Sequence, residues 1–299
     1  MKGKTDTMNS ISDDAMKLVK EMQTNELTEY YIYNNIADKV KNEDNKKILR
    51  NIAQEELAHG KLWESYSRTE VKPKKLKIFW YTLFARVCGY TFAIKLMEKG
   101  EDNASEVYEK LSEEIDEASR IAREEQEHEK KLIDMLDEER LQYVGSMVLG
   151  LNDALVELTG TLAGLTFALQ STRLIALSGL ITGISATLSM ASSEYLAAKS
   201  DGRSDALKSC AYTGVAYCIT VALLVLPYLL FPDDMYAWAL GVMVCIVILI
   251  IFIFSYYISV AKDLSFKSRF GEMAAISIGV AIISFIIGLV VKKFLGIDV

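Results

Sequence analysis

Arg123-Glu-Glu-Gln-Glu-His-Glu129 contains one of the two histidines in this 299-residue chain, with Glu125 three residues before His128. The other histidine repeats the arrangement in Glu56-Leu57-Ala58-His59. On a helix, a three-residue offset puts carboxylate and imidazole on one face. Each pair has an upstream companion: Glu26 is followed seven residues later by Tyr33, and Glu101 by Tyr108 at the same distance. The chain thus repeats a unit of Glu, Tyr at +7, then Glu-x-x-His. Two bare glutamates and two Glu-x-x-His pairs, each on its own helix, form the ligand set of a dinuclear carboxylate bundle. The expected ligands are Glu26, Glu56, His59, Glu101, Glu125 and His128. Tyr33 and Tyr108 either hydrogen-bond to these groups or fill the bundle. Glu29, Glu55, Glu98, Glu124, Glu127 and Glu129 are spare carboxylates. Surface solvation is the main role expected for them, with an entry path or a further metal position as the alternative.

The ligand types set the metal class. Carboxylate and imidazole suit Fe or Mn, with Zn as a possible substitute. The four cysteines, Cys88, Cys210, Cys218 and Cys245, form no C-x-x-C pair and read as small buried hydrophobes rather than soft-metal ligands. Net charge is −7 and the isoelectric point 5.1, with no basic cluster or finger motif, which argues against a nucleic-acid partner. Most charged residues fall in the first 140 positions, and the rest of the chain is strongly apolar. Two domains are therefore expected, 1–140 and 141–299, in an all-α chain. No signal peptide is visible at the start, so the first domain is expected in the cytoplasm.

In the first domain the pattern predicts helices over about 13–40, 45–68, 88–112 and 113–139. Ser10 or Ser12 caps the first, and Ile48, Ile52, Leu57 and Leu62 form the inner side of the second. Lys72-Pro-Lys-Lys75 is a break. From Leu76 to Leu96 the sequence is apolar and aromatic apart from Lys77, Arg86 and Lys95. Its basic residues fit a helix on a bilayer surface, or one packed on another domain, better than a full span. The doubled Glu…Tyr…Glu-x-x-His pattern, over residues 12–139, resembles the rubrerythrin or erythrin branch of the ferritin-like superfamily. That resemblance implies a four-helix bundle and di-iron chemistry with O₂ or peroxide. The C-x-x-C rubredoxin module of full rubrerythrins is missing.

The second domain holds five span candidates: 141–169, 174–198, 210–230, 236–260 and 273–291, each long enough for about 30 Å of hydrocarbon. Lys199, Arg203, Lys208, Lys262, Lys267 and Arg269 concentrate in the second and fourth loops. The positive-inside bias makes those loops cytoplasmic and puts the C-terminus outside. Asp153, Glu157 and Glu194 are costly in a bilayer and mark a cation path, with Glu194 at its cytoplasmic entry. Met190, one turn before Glu194, offers a soft sulfur. Small residues, among them Gly179, Ser185, Ser189, Ser192 and Ser193, permit close helix contact.

Gly150-Leu-Asn-Asp-Ala-Leu-Val-Glu157, Ser189-Met-Ala-Ser-Ser-Glu-Tyr195 and the five-span layout resemble the vacuolar iron transporter (VIT1/CCC1) family. The resemblance implies a homodimer that exchanges protons for Fe²⁺ or Mn²⁺, with Asp153 and Met190 lining the path, Glu194 as the matching glutamate, and Glu157 extending it. The cytoplasmic metal-binding insert between spans two and three, present in plant-like members, is absent. The fused pairing is similar to membrane-bound ferritin proteins that export iron across the cell membrane. Export is therefore the expected function. The alternatives are a membrane-anchored di-iron oxidase or peroxidase, and a sensor of metal or peroxide that gates the pore.

Overall fold

The structure, a computed structural model, describes residues 11–100, 104–134 and 143–295, and every element among them is helical. The chain divides into two compact units, Met1–Glu138 and Glu139–Val299.

The first unit contains α1 (Asp13–Ala37), α2 (Glu43–Ser67), α3 (Lys75–Val87), α4 (Tyr90–Lys99), α5 (Ala104–Ser112) and α6 (Asp116–Asp134). Ser12 caps α1, its hydroxyl accepting from the Ala15 N–H at 3.2 Å, and Glu114 in turn holds Ser12 from across the unit. Asn42 caps α2 by accepting from the N–H groups of Asp44 and Asn45. These caps satisfy donors that a helix start leaves unpaired. The helix expected over 88–112 is interrupted. Gly89, at φ 99°, turns the chain between α3 and α4 in a region open to glycine, and α4 ends at Lys99 before α5 begins at Ala104. The inner face of α2 is carried by Leu49, Ile52, Ala53, Glu56, His59 and Trp63, whereas Leu57 and Leu62 are half-buried. The phase of this helix follows its carboxylate and imidazole.

Two apolar clusters fill this unit. One joins Ile32 and Ile36 of α1, Leu49 and Ile52 of α2, Ile94 and Met97 of α4, and Leu132 of α6. The other joins Val19 and Met22 of α1, Trp63 of α2, Tyr108 and Leu111 of α5, and Ile121 of α6. Along α1, α2 and α6 the buried acids and histidines fall between these clusters in sequence. The chain therefore places a polar layer between two dry ones, each buried aliphatic contributing roughly 1.5–3 kcal/mol.

The second unit contains α7 (Val144–Leu169), α8 (Thr172–Ser200), α9 (Ala206–Leu230), a 3₁₀ turn (Asp233–Met235), α10 (Tyr236–Ala261) and α11 (Phe266–Leu295). Five segments of these helices are long and apolar enough to cross a membrane. The core packs Leu155, Leu158 and Leu162 of α7 against Tyr217, Val221 and Leu224 of α9 and Met243, Val247 and Ile251 of α10. Glycines set the closest approaches. A Cβ on Gly150 would lie 2.6 Å from the Thr213 carbonyl oxygen, which is backbone and cannot rotate away, and one on Gly179 would lie 2.7 Å from Leu162. The serines of α8 behave differently: Ser185, Ser189, Ser192 and Ser193 are exposed. The cysteines correct an expectation. Cys88 and Cys210 are half-buried, and Cys218 and Cys245 are exposed. The last two stand on outward faces of α9 and α10, where an apolar side chain suits lipid.

Candidate metal centre and intramembrane carboxylates

Six acids and two histidines meet between the apolar clusters of the first unit. Glu26 and Glu29 come from α1, Glu55, Glu56 and His59 from α2, and Glu124, Glu125 and His128 from α6. Glu26, Glu56, His59 and His128 are almost fully buried. Glu56 spans the two imidazoles: one oxygen lies 3.4 Å from His59 Nδ1 and the other 3.1 Å from His128 Nδ1. Glu125 does the same from the opposite helix, at 3.0 Å from His59 Nδ1 and 3.5 Å from His128 Nδ1. Glu26 Oε2 stands 3.8 Å from His59 Nδ1. One ligand atom from each of Glu26, Glu56, His59 and Glu125 fits within 4.8 Å of the others.

These atoms approach one another without pairing. Glu26 Oε2, Glu56 Oε2, Glu125 Oε1 and His59 Nδ1 are all buried and make no hydrogen bond. Buried polar atoms are rarely left so, because each costs about 1–3 kcal/mol. Four of them converging on one point is the arrangement a cation satisfies, so the donor set fits a metal ion. The electrostatics agree. Burial, with Glu125 nearby, drives the Glu56 carboxyl well above the usual carboxylate range. Burial works against a charged His128, but Glu125 and Glu56 outweigh it and raise its pKa to about 10. His59 is raised likewise, against burial, by Glu125, Glu26 and Glu56. Glu125 is held down at about 2 despite burial, by the two histidines. Surplus negative charge here recruits protons, the smallest cations available.

The outer edges of the imidazoles are braced crosswise. Glu124 Oε2 lies 2.8 Å from His59 Nε2, and Glu55 Oε2 makes a short contact with His128 Nε2. Each is the residue just before a Glu-x-x-His glutamate, so the working repeat is Glu-Glu-x-x-His, and each brace reaches the other copy's histidine. A carboxylate accepting from Nε2–H keeps Nδ1 turned inward as the ligand atom. A cavity of about 350 Å³ opens on this side, lined by both histidines, Glu55, Glu124 and Glu127, with Arg120 and Lys131 at its walls. Replacing Glu124 by Leu is expected to lower divalent-metal affinity by about 10–100-fold, the usual cost of losing such a partner. Glu124→Gln, which still accepts from Nε2–H, should lose less. Titration calorimetry of the full chain with Mn²⁺ checks the order, and equal losses would deny the bracing role.

The tyrosines also cross. Tyr108 O–H donates to Glu26 at 2.8 Å, joined by Trp63 Nε1–H at 3.3 Å. Tyr33 O–H donates to Glu98 at 3.4 Å. Glu101 lies outside the described residues. A described partner of Tyr33 is Glu98, three positions before Glu101 in sequence, a residue assigned to solvent on sequence. Glu29 is buried as well, 3.4 Å from Lys77, with its pKa raised to about 7 by burial against the opposing pull of Lys77. Spacing alone could not place these residues, because a glutamate-rich helix offers acids at every phase. The signal available was the immediate neighbour: Glu55-Glu56 and Glu124-Glu125 are paired acids in both copies.

In the second unit Asp153 and Glu157 sit one turn apart on α7. Asp153 is half-buried and about 14 Å along its 26-residue helix. Glu157 is exposed, and its Oε2 accepts from Tyr217 O–H at 2.7 Å. Glu194 ties three helices: its Oε1 accepts from Ser146 of α7 at 2.9 Å and, in a shorter contact, from Ser209 of α9, with Arg203 4.0 Å away. Met190 is half-buried and packs against the core cluster.

The VIT family model matches residues 144–205. The VIT match takes in Gly150–Glu157 and Ser189–Tyr195, and so Asp153, Glu157, Met190 and Glu194, the four residues expected from the sequence to line a path. With the five apolar helices it fits a multi-pass membrane protein engaged in metal-ion transport. No curated protein and no solved structure matches the chain.

Proposed function

We propose that this chain takes up Fe²⁺ or Mn²⁺ at a dinuclear centre in its first unit and exports such ions through its second. The observation that carries the first half is the double spanning of the two histidines by Glu56 and Glu125. Two cations held by Glu26, Glu56, His59, Glu125 and His128, with Glu98 or Glu101 completing the second position, would satisfy every orphaned atom of the cluster. Bound iron would supply redox chemistry toward O₂ or peroxide. The protein's part is to orient the ligands, hold the imidazole tautomers and keep the layer dry on both sides. On this reading α1, α2, α4 with α5, and α6 form a ferritin-like four-helix bundle with a broken third member.

The second half rests on the VIT match and on the acids carried by the apolar helices. Cargo would enter at Glu194, whose loop carries the cytoplasmic charge signature, and pass Met190, Asp153 and Glu157 outward. Protons moving inward would release the cation by neutralising carboxylates. The exposed serines of α8 and, on α7, the exposed Glu157 are polar groups unsuited to lipid. A second copy of the chain would cover them, which makes the working form a homodimer.

Transport in proteoliposomes tests the proposal. Fe²⁺ movement should require the protein and accelerate when protons flow down a gradient in the opposite direction. O₂ consumption on Fe²⁺ addition, with no metal crossing the bilayer, would replace export by the anchored-oxidase reading.

A further inference from the structure

Helix α3 has two apolar faces, and the first unit uses one. Ile78, Tyr81, Phe84 and Ala85 pack against the cluster around Ile32, Ile36 and Ile94. The other face carries Leu76, Phe79, Trp80, Leu83 and Val87, spaced so that all five fall in one sector about 100° wide. Leu76 is 71% exposed, Phe79 59%, Trp80 46% and Val87 65%. None of the thirteen residues of this helix is buried. A contiguous apolar stripe of this kind marks an interaction surface.

Charge identifies the partner. Between Glu70 and Glu98 the sequence has no acid, and its bases are Lys72, Lys74, Lys75, Lys77, Arg86 and Lys95. The chain as a whole is acidic, at net −7. On the helix, Lys75 and Arg86 flank the stripe on one side and Lys77 on the other. Lys74 and Lys77 also touch Asn25 and Glu29, which fixes the bases at the helix margin. Basic residues bordering an apolar face with a tryptophan are what a helix lying in a headgroup layer requires. A bilayer is within reach, because nine residues, 135–143, separate the end of α6 from the start of the first candidate spanning helix in sequence, a tether of at most about 32 Å.

We propose that α3 is a membrane-surface helix, its Leu76–Val87 stripe set among the upper acyl chains and its bases on anionic headgroups. The inference rests on the multi-pass reading and not on the metal centre.

The test uses the full chain in nanodiscs of phosphatidylcholine with phosphatidylglycerol, in a Trp238→Phe background. Emission from Trp80 is obtained by difference against Trp80→Phe, while fully buried Trp63 reports that the first unit stays folded. Acyl chains brominated near the headgroup should remove most of the Trp80 emission. The variant Leu76→Ser, Phe79→Ser, Val87→Ser should recover it with Trp63 emission unchanged. Trp80 emission indifferent to bromine would overturn the proposal, as would crosslinking of the stripe to a second copy. Equal quenching without phosphatidylglycerol would overturn it as an anionic-surface contact. Metal transport can fail in any of these cases without bearing on the result.

Discussion

Asp153→Asn is expected to cut Fe²⁺ flux in proteoliposomes by roughly a hundredfold or more. The substitution keeps the shape and removes one negative charge from within the first long apolar helix. Opposite unit charges 4 Å apart interact by about 4 kcal/mol at an effective dielectric of 20, and a divalent ion doubles the stake. Even half the single-charge value exceeds the 1.4 kcal/mol that makes a factor of ten. An amide also cannot take up a proton, so any residual flux should lose its dependence on a pH gradient. Asp153→Glu keeps charge and titration and should retain part of the activity. Glu157→Gln should do less harm, because its Oε2 already serves Tyr217 and the side chain is exposed. Asp153→Asn protein that elutes and melts like the parent yet moves Fe²⁺ at the parental rate would remove Asp153 from the path.

Much of the architecture was legible because the two halves obey different solvents. Five apolar runs separated by short polar loops read as spans from length alone, and the helices meet those bounds within four residues, except that the last begins seven residues early, at Phe266. In the first unit the 3.6-residue pattern placed α1 and α2 well. It missed the break at Gly89, since an apolar run rich in aromatics continues straight through it. On α2 it found buried Ile52 and the half-buried Ile48 and Leu62 that pack on the clusters, but it missed the inward row of acid and imidazole. Leu57 and Leu62 looked like core, but a buried row of Glu56, His59 and Trp63 competes with them, and hydropathy cannot score acids turned inward as a group. The repeat itself was visible because histidine is so scarce here. What the sequence could not disclose was the crossing. Glu55 serves His128, Glu124 serves His59, and Tyr108 serves Glu26, each reaching from one copy of the repeat to the other. Internal spacing describes one helix at a time, while these contacts belong to a pseudo-symmetric assembly of helices.

Glu56→Ala is expected to take the full chain from two bound divalent ions to at most one. No other described carboxylate apart from Glu125 faces both Nδ1 atoms, and Glu56 is the more deeply buried of the two. Its removal leaves His59 and His128 with Glu125 alone between them, and a single carboxylate cannot hold two cations against their mutual repulsion. Metal analysis after Mn²⁺ loading and desalting reads the stoichiometry directly. Thermal unfolding gives a second reading. Ligand at about a thousand times Kd stabilises a folded protein by about 4 kcal/mol, a gain the variant should largely forgo. Stoichiometry that stays at two would sink the bridging assignment. Flux then separates what the centre is for. If it captures cargo, the variant should transport poorly at low Fe²⁺ and recover toward the parental rate when Fe²⁺ saturates the intramembrane entry at Glu194. If it senses load and gates the pore, the concentration at which transport begins should move while the maximal rate stays. Because Asp153 and Glu56 lie in separate compact units, the two substitutions should also be independent. Asp153→Asn should leave metal stoichiometry at two, and Glu56→Ala should leave the pH-gradient dependence of the remaining flux intact.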